Sequence, residues 1–347
     1  MRIFENRDCM EGMAELQDKS MNVIYVDPPY FEVKGDFDFV WSSFDDYLKD
    51  VEKWAVECKR LLADNGSLIW WGHAKKIAYT QIILDKFFHL ENNMVWEKLD
   101  SMQYQYYSVE LSRCFNTHNE RLLFYSNDFE PSEWNRTGLE RILDEHVKPK
   151  HPFALYMKSE FKKAGVSNKE ISKLFPSKSG GLTGCVSNWL NGDNTPTKEQ
   201  YLKIREYLNG EYLRKEYEYL RKEYEELRKE YEELRRPFNN FLKLTDVLKY
   251  SQEGAITKQY IHPTQKPPKL TSALISTISK PGQNILIPFA GSGVEIVEAE
   301  KRNLNIYAYE LDPKWYCVAK KRIEESRLQL DMFQQQKIDT YKQESLL

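Results

Sequence analysis

No run in this 347-residue chain approaches the roughly 18 apolar residues of a membrane-spanning helix, so none is expected. The five cysteines (Cys9, Cys58, Cys114, Cys185, Cys317) lie at least 49 residues apart. That spacing leaves no C-x-x-C pair to seed a zinc site or redox motif, and an odd count fits reduced thiols. None of the six histidines stands in H-E-x-x-H spacing, and the two H-x-E matches, at His89 and His118, have no C-x-x-C to complete a zinc set, so no metal site is expected. No Gly-Lys pair exists to build a P-loop. The opening MRIFENRDCM has no apolar stretch and carries Glu5 and Asp8 early, so neither a secretory nor a transit peptide is expected and the reading points to the cytoplasm. A net charge of −3, from 50 basic and 53 acidic residues, gives no global polyelectrolyte signature.

What is present is globular: 41% hydrophobic, 30% charged and 14% aromatic residues. At roughly 150 residues per domain the length allows two domains, or one large domain with an insertion. Charge is unevenly placed. Residues 148–209 hold 11 Lys/Arg against 5 Asp/Glu, a local +6 that leaves −9 for the rest, as a phosphate-contacting module would.

Strand and helix signals alternate over the first 125 residues: an apolar run at 22–26 stopped by Asp27-Pro28-Pro29, a helix over 44–62, and strand-like runs at 67–71, 93–96 and 121–125. That rhythm predicts an open parallel sheet. The middle differs. Ser167-Asn168-Lys169-Glu170 is a capping box opening a short helix over 171–175, residues 176–184 form a Ser/Gly-rich turn, a second short helix covers 186–190, and a third follows Pro196. From Glu211 a seven-residue unit recurs (EYLRKEY, EYLRKEY, EELRKEY, EELRRPF), placing Leu213, Tyr217, Leu220, Tyr224, Leu227, Tyr231 and Leu234 on one stripe of a long helix over about 210–236. With 8 basic and 9 acidic residues the run reads as an ion-paired packing helix, a strut within the chain, with a coiled coil to a second copy as the alternative. After residue 260 the α/β rhythm returns, with a helix over 270–279, a strand over 284–287, a Gly-rich turn, a helix over 294–301, and a strand over 305–309 ending in Glu310.

Two constellations carry chemistry. Phe289-Ala290-Gly291-Ser292-Gly293 lets a ligand approach backbone at a helix start, and Glu310, ending the next strand 17 residues after Gly293, is placed to take a ribose's hydroxyls. Without the third glycine of a dinucleotide fingerprint, an adenosine-bearing ligand lacking a pyrophosphate fits better. At Asp27-Pro28-Pro29-Tyr30, a carboxylate and a rigid proline carbonyl can accept the two N–H bonds of a nucleobase amine and free its lone pair, while Tyr30 offers a stacking face.

Asp27-Pro28-Pro29-Tyr30, then His262-Pro263-Thr264-Gln265-Lys266-Pro267, then Pro288-Phe289-Ala290-Gly291-Ser292-Gly293 with Glu310, in this order, resemble the beta group of S-adenosylmethionine-dependent DNA amino-methyltransferases. The resemblance covers roughly residues 1–127 and 258–323. It implies a Rossmann-like α/β methyltransferase sheet in two catalytic parts, 1–127 and 258–347, with a helical target-recognition region inserted over 128–257. Carried over, Asp27 and Pro28 hold the target amine with Pro29 and Tyr30 beside them, Tyr30 stacking on the flipped base. Phe289, Gly291 and Gly293 lie against the cofactor's methionine end, Thr264 and Lys266 hold its carboxylate, Glu310 its ribose, and Asp8 its adenine amine. Trp96-Glu97-Lys98 and His118-Asn119-Glu120 match less specific family patterns. One position departs: the family's Asp before Pro-Phe is Ile287 here, which removes a partner for the cofactor's amino group, so that cofactor binding is expected to be weaker or to lean on Asp27.

The basic middle (about 153–209) resembles the helix-turn-helix of phage-repressor-type regulators, with Ser187 and Asn188 facing the major groove and Lys162, Lys163, Lys169 and Lys173 on phosphates. Tyr104-Gln105-Tyr106-Tyr107 is a further base-stacking candidate. The expectation is an adenine-N6 methyltransferase acting on double-stranded DNA. Cytosine-N4 transfer and a catalytically weak DNA-binding regulator remain open, as do a homodimer and a companion restriction endonuclease. No Pro-Cys pair exists to suggest cytosine-C5 chemistry.

Overall fold

The apolar run at Met21–Val26 is a central strand of an eight-stranded sheet in the computed structural model, which describes residues 2–33, 38, 40–99, 118–127, 148–177, 181–252, 262 and 264–344. In chain order the strands are β1 (Arg2–Asn6), β2 (Met21–Val26), β3 (Leu62–Gly72), β4 (His89–Lys98), β5 (Asn119–Ser126), β6 (Val247–Tyr250), β7 (Asn284–Ile287) and β8 (Asn305–Glu310); in space they lie β1-β8-β7-β2-β3-β5-β4-β6. From β1 through β3 every pairing is parallel. The expectation of an all-parallel sheet fails beyond β3. The helix α3 (Ile77–Leu84) returns the chain so that β3 and β4 point the same way, and β5, slotted between them, is antiparallel to both.

Alternation along β2 explains why its run is apolar throughout. Ile24 and Val26 face one core, with α1 (Cys9–Ala14), α2 (Phe44–Leu61) and α3, while Val23 and Tyr25 face a second core beneath α9 (Pro268–Ile278), α10 (Val294–Lys301) and the start of α11 (Pro313–Glu344). In α2 the buried residues Tyr47, Val51, Trp54, Ala55, Cys58 and Leu61 recur at helical spacing, and Ser43 caps its start by accepting the Asp46 N–H. Strands β1 and β6, helix α3 and helix α11 carry no expectation from sequence.

The chain divides into two units, residues 1–130 with 237–347, and residues 131–236. The segment 237–257, expected in the inserted region, contributes β6 to the sheet through its pairing with β4. The second unit is helical: α4 (Pro152–Ala164), α5 (Asn168–Ser172), α6 (Cys185–Asn191), α7 (Lys198–Tyr207) and α8 (Tyr217–Leu234). Its core gathers Phe153, Met157, Phe161, Ile171, Trp189 and Tyr201. The capping box of α5 forms as expected, Ser167 and Glu170 exchanging backbone N–H bonds.

The heptad helix is shorter than its repeat. Its first unit is not helical: Asn209, Gly210 and Leu213 have positive φ, and Leu213 donates its N–H to buried Glu160 while Tyr201 donates to the Leu213 and Lys215 carbonyls. These tertiary bonds outweigh the local preference for helix, so α8 begins at Tyr217. Leu213 and Leu220 of the stripe are fully buried in this unit's core, with Tyr217 and Tyr224 packed against it. The side chains of Tyr231 and Leu234 lie outside the described residues.

Candidate active site

Strands β2 and β7 are neighbours, yet the chain leaves them toward opposite halves of the sheet, β2 leading to β3 and β7 to β8. Such a switch point opens a crevice beyond the carboxyl ends of parallel strands. Asp27-Pro28-Pro29 follows β2 and the Gly-rich turn follows β7, so adjacency in the sheet brings together segments about 260 residues apart. Both line one cavity of about 640 Å³, together with Asp8, Thr264, Lys266 and Glu310. That volume suits a ligand of drug or cofactor size.

The Gly-rich turn is built by its glycines. Gly291 and Gly293 have φ of 49° and 78°, and a Cβ on Gly293 would stand 2.8 Å from the Ala319 side chain. Glu310, ending β8, accepts the Gly291 N–H at 2.7 Å on Oε2 and the Asp312 N–H at 2.9 Å on Oε1. Burial pushes its carboxyl above the usual range against these two bonds. A carboxylate has about four acceptor positions, so these bonds leave capacity for a hydroxyl of a ligand. Ser292 donates to Gln265 at 2.7 Å and accepts from Arg322 at 3.0 Å, tying the turn to the 262–267 stretch and to α11. Phe289 meets Trp54 edge-on at 4.9 Å. Asp8 caps α1 by accepting the Met10 N–H at 2.8 Å, which fixes its position at the cavity wall.

Asp27 sits in a buried charge network. The Lys266 ammonium, with no exposed side-chain surface, lies 2.8 and 2.6 Å from the two Asp27 oxygens and 3.2 Å from Glu120. Glu120 in turn holds Lys98 at 2.5 Å. Two ammonium and two carboxylate groups leave the network neutral. Burial lowers the Lys266 ammonium, but Asp27 and Glu120 outweigh it and hold its pKa up to about 12. Burial likewise raises Glu120, yet Lys266 and Lys98 keep it below its ordinary value. For Asp27, burial outweighs the opposing pull of Lys266 and leaves the carboxyl raised.

This network corrects two expectations. Lys266 is committed to Asp27, Glu120, the Tyr30 hydroxyl and the Thr264 carbonyl, because two buried carboxylates hold it; it is not free to take a cofactor carboxylate in this arrangement. Tyr30 is 4% exposed, its ring in the core beneath α9 and its hydroxyl donating to Asp27 at 2.7 Å. Its face is covered, so it orients Asp27 and presents no stacking surface. Thr264 lines the cavity with its hydroxyl 3.2 Å from His262 Nδ1. Ile287 is fully buried and faces the second core.

The sequence reading gave no role to Glu295, Gln265, Trp41, Trp54 or Trp315, all of which line the cavity. Glu295 lies within the first turn of α10, two residues past Gly293. The six carboxylates lining the cavity, Asp8, Asp27, Asp50, Glu295, Glu310 and Asp312, outnumber the lysines, Lys53 and Lys266, which favours a ligand of net positive charge. In the second unit Lys162, Lys163, Lys169 and Lys173 are exposed, as are Ser187 and Asn188 on α6. Lys163 pairs with Glu160 at 2.6 Å. The stretch 104–107 lies outside the described residues. Among the described residues no cluster of metal-ligating side chains exists, and no helix is long and apolar enough to cross a membrane.

The chain belongs to the DNA methylase family, whose model matches residues 21–321. The type II methyltransferase M.HinfI of Haemophilus influenzae is 27% identical over 246 residues, 57% of this chain and 66% of its own length. M1.MboII of Moraxella bovis is 28% identical over 123 residues, 34% of this chain and 44% of its own. The matched stretches therefore span less than two thirds of these relatives. Among solved structures, the cytosine-N4-specific PvuII DNA methyltransferase aligns with a TM-score of 0.48 at 12% identity, covering 93% of this chain and 90% of that one.

Proposed function

We propose that this protein is a site-specific DNA methyltransferase that transfers a methyl group from S-adenosylmethionine to adenine N6 in double-stranded DNA. The observation that carries the reading is the convergence of Asp27-Pro28 and the Gly291–Glu310 pair on one acidic cavity. The cofactor fits the donor set: it is cationic overall, and the lining is predominantly anionic. Its ribose would meet the remaining acceptor capacity of Glu310, its methionine end the Gly-rich turn, and its adenine the wall beside Asp8. When bound it supplies an electrophilic methyl group on sulfur.

The protein's share is positioning and charge. Asp27 Oδ1 already accepts from Tyr30 and Lys266 and Oδ2 from Lys266, leaving one open acceptor position, on Oδ2, for a target N–H. The Pro28 carbonyl takes the second N–H. Accepting both frees the ring-delocalised lone pair for in-line attack, and the Asp27 carboxylate stabilises the positive charge that develops on nitrogen. Lys266 opposes the effect of burial on that carboxylate, and Tyr30 fixes its rotation. Asp at the head of the tetrapeptide favours adenine, because family members acting on cytosine N4 more often carry Ser there. Residues 153–209 of the second unit serve as the DNA-reading module, with Ser187 and Asn188 toward the bases and the four exposed lysines toward phosphates. Methylation-sensitive sequencing of DNA from cells expressing the protein tests the whole reading. N6-methyladenine at a defined motif, absent with Asp27→Ala, is the expected result; N4-methylcytosine moves the specificity, and unmodified DNA refutes the activity.

A further inference from the structure

Helix α10 carries three glutamates that are more than nine-tenths buried, and their surroundings differ. Glu298 holds Lys301 at 2.7 Å, and Glu300 holds Arg327 at 2.6 Å and Arg2 at 3.0 Å. Glu295, 6% exposed, has no ion pair and no side-chain hydrogen bond to another residue among the described residues. It is also the one of the three that lines the cavity. The charged and titratable groups around it are Asp27 at the end of β2, Tyr25 within β2, Lys266 ahead of α9 and Arg322 on α11. Asp27 repels it. Lys266 is committed to Asp27 and Glu120, and Arg322 donates to Ser292. A buried carboxylate with a like charge beside it and no cation in contact is costly to maintain. The helix N-terminus accounts for an acid in the first turn, but at that position an acid is ordinarily solvated.

We propose that Glu295 receives the α-ammonium of S-adenosylmethionine, supplying from helix α10 the carboxylate that Ile287 does not supply from the end of β7. The inference rests on the reading of this cavity as the cofactor site. A carboxylate with open acceptor positions matches an ammonium, which has N–H bonds to donate; a sulfonium has none. The distance along the chain is no obstacle, since Glu295 lines the same cavity as Pro288, Phe289, Ala290 and Gly291, the residues that follow Ile287.

Isothermal titration calorimetry of the full-length protein tests this with three ligands: S-adenosylmethionine, S-adenosylhomocysteine, which keeps the ammonium and lacks the sulfonium, and methylthioadenosine, which lacks the amino-acid end. Glu295→Gln is expected to weaken the first two alike, by about tenfold to a hundredfold for a lost charge-assisted hydrogen bond, and to leave methylthioadenosine within about twofold. Glu295→Asp, which keeps the charge, is expected to lose less than Gln on the first two. Unchanged binding of the first two overturns the proposal. So does a loss for S-adenosylmethionine alone, which would make Glu295 a sulfonium partner, and so does an equal loss for all three ligands. Wild-type protein that binds none of the three refutes the cofactor reading itself.

Discussion

Glu295 also sets a pH-dependent cost on the fold, and Glu295→Gln measures it. Burial, followed by repulsion from Asp27, pushes its pKa from 4.5 to about 7. Between those values the folded protein keeps a proton that the unfolded chain has released, so stability falls as pH rises through this window. Each pKa unit is worth about 1.4 kcal/mol, and the full difference is about 3 kcal/mol, present above pH 7 and absent below pH 4.5. Glutamine has nearly the same shape and no charge to desolvate. The variant without cofactor should therefore unfold roughly 6–12 °C above wild type at pH 8, taking about 2–4 °C per kcal/mol for a domain of this size, and close to wild type at pH 5. Scanning calorimetry at the two pH values reads the difference. Saturating S-adenosylmethionine should shrink the gap, because a cation then compensates the wild-type carboxylate. Equal gains at both pH values, or a variant less stable than wild type at pH 8, would refute the reasoning.

Lys266→Met leaves Asp27 and Glu120 with one buried cation between them, and should cost about 3–5 kcal/mol in chemical denaturation at neutral pH; a loss under about 1 kcal/mol would mean the pair is not formed in solution. Glu310→Ala should raise the cofactor Kd by roughly 10- to 150-fold, the equivalent of about 1.5–3 kcal/mol for hydrogen bonds to a charged group, with an unchanged Kd placing the ribose elsewhere. Charge reversal at Lys162, Lys163, Lys169 and Lys173 should lower the salt slope of DNA binding by about one unit for each phosphate no longer neutralised, and leave cofactor affinity untouched; an unaltered slope would remove the basic segment from the DNA surface.

The strands flanking the cavity were legible because each is short, apolar and stopped by a chemical signal, Asp27-Pro28-Pro29 after β2 and Pro288 after β7. The strand order was not. Only pairing tells that β5 lies between β3 and β4, and β1 and β6 are edge strands with mixed burial whose periodicity is weak. The repeat misled for the opposite reason. Seven-residue periodicity specifies a helix for as long as nothing competes, and at Glu211–Glu216 the Glu160 carboxylate and the Tyr201 hydroxyl compete for the same backbone groups.

The site divides along the same line between local chemistry and spatial partnership. The places of Gly291, Gly293 and Glu310 were readable because β7 and β8 follow one another in the chain and pair, so the residue ending β8 meets the turn that follows β7. Lys266 was placed near the right segment with the wrong partner, since what holds it is a carboxylate 239 residues away, brought close by the β2–β7 pairing. Ile287 and Glu295 show the consequence for reading function. A motif records where along the strand a charge usually stands, whereas a ligand meets only where that charge ends up. A carboxylate eight positions on, in the first turn of the following helix, lines the cavity together with the Gly-rich turn that precedes it. The missing aspartate at Ile287 is thus no evidence against a cationic ligand so long as the cavity keeps an unpaired buried carboxylate, and Glu295 is one.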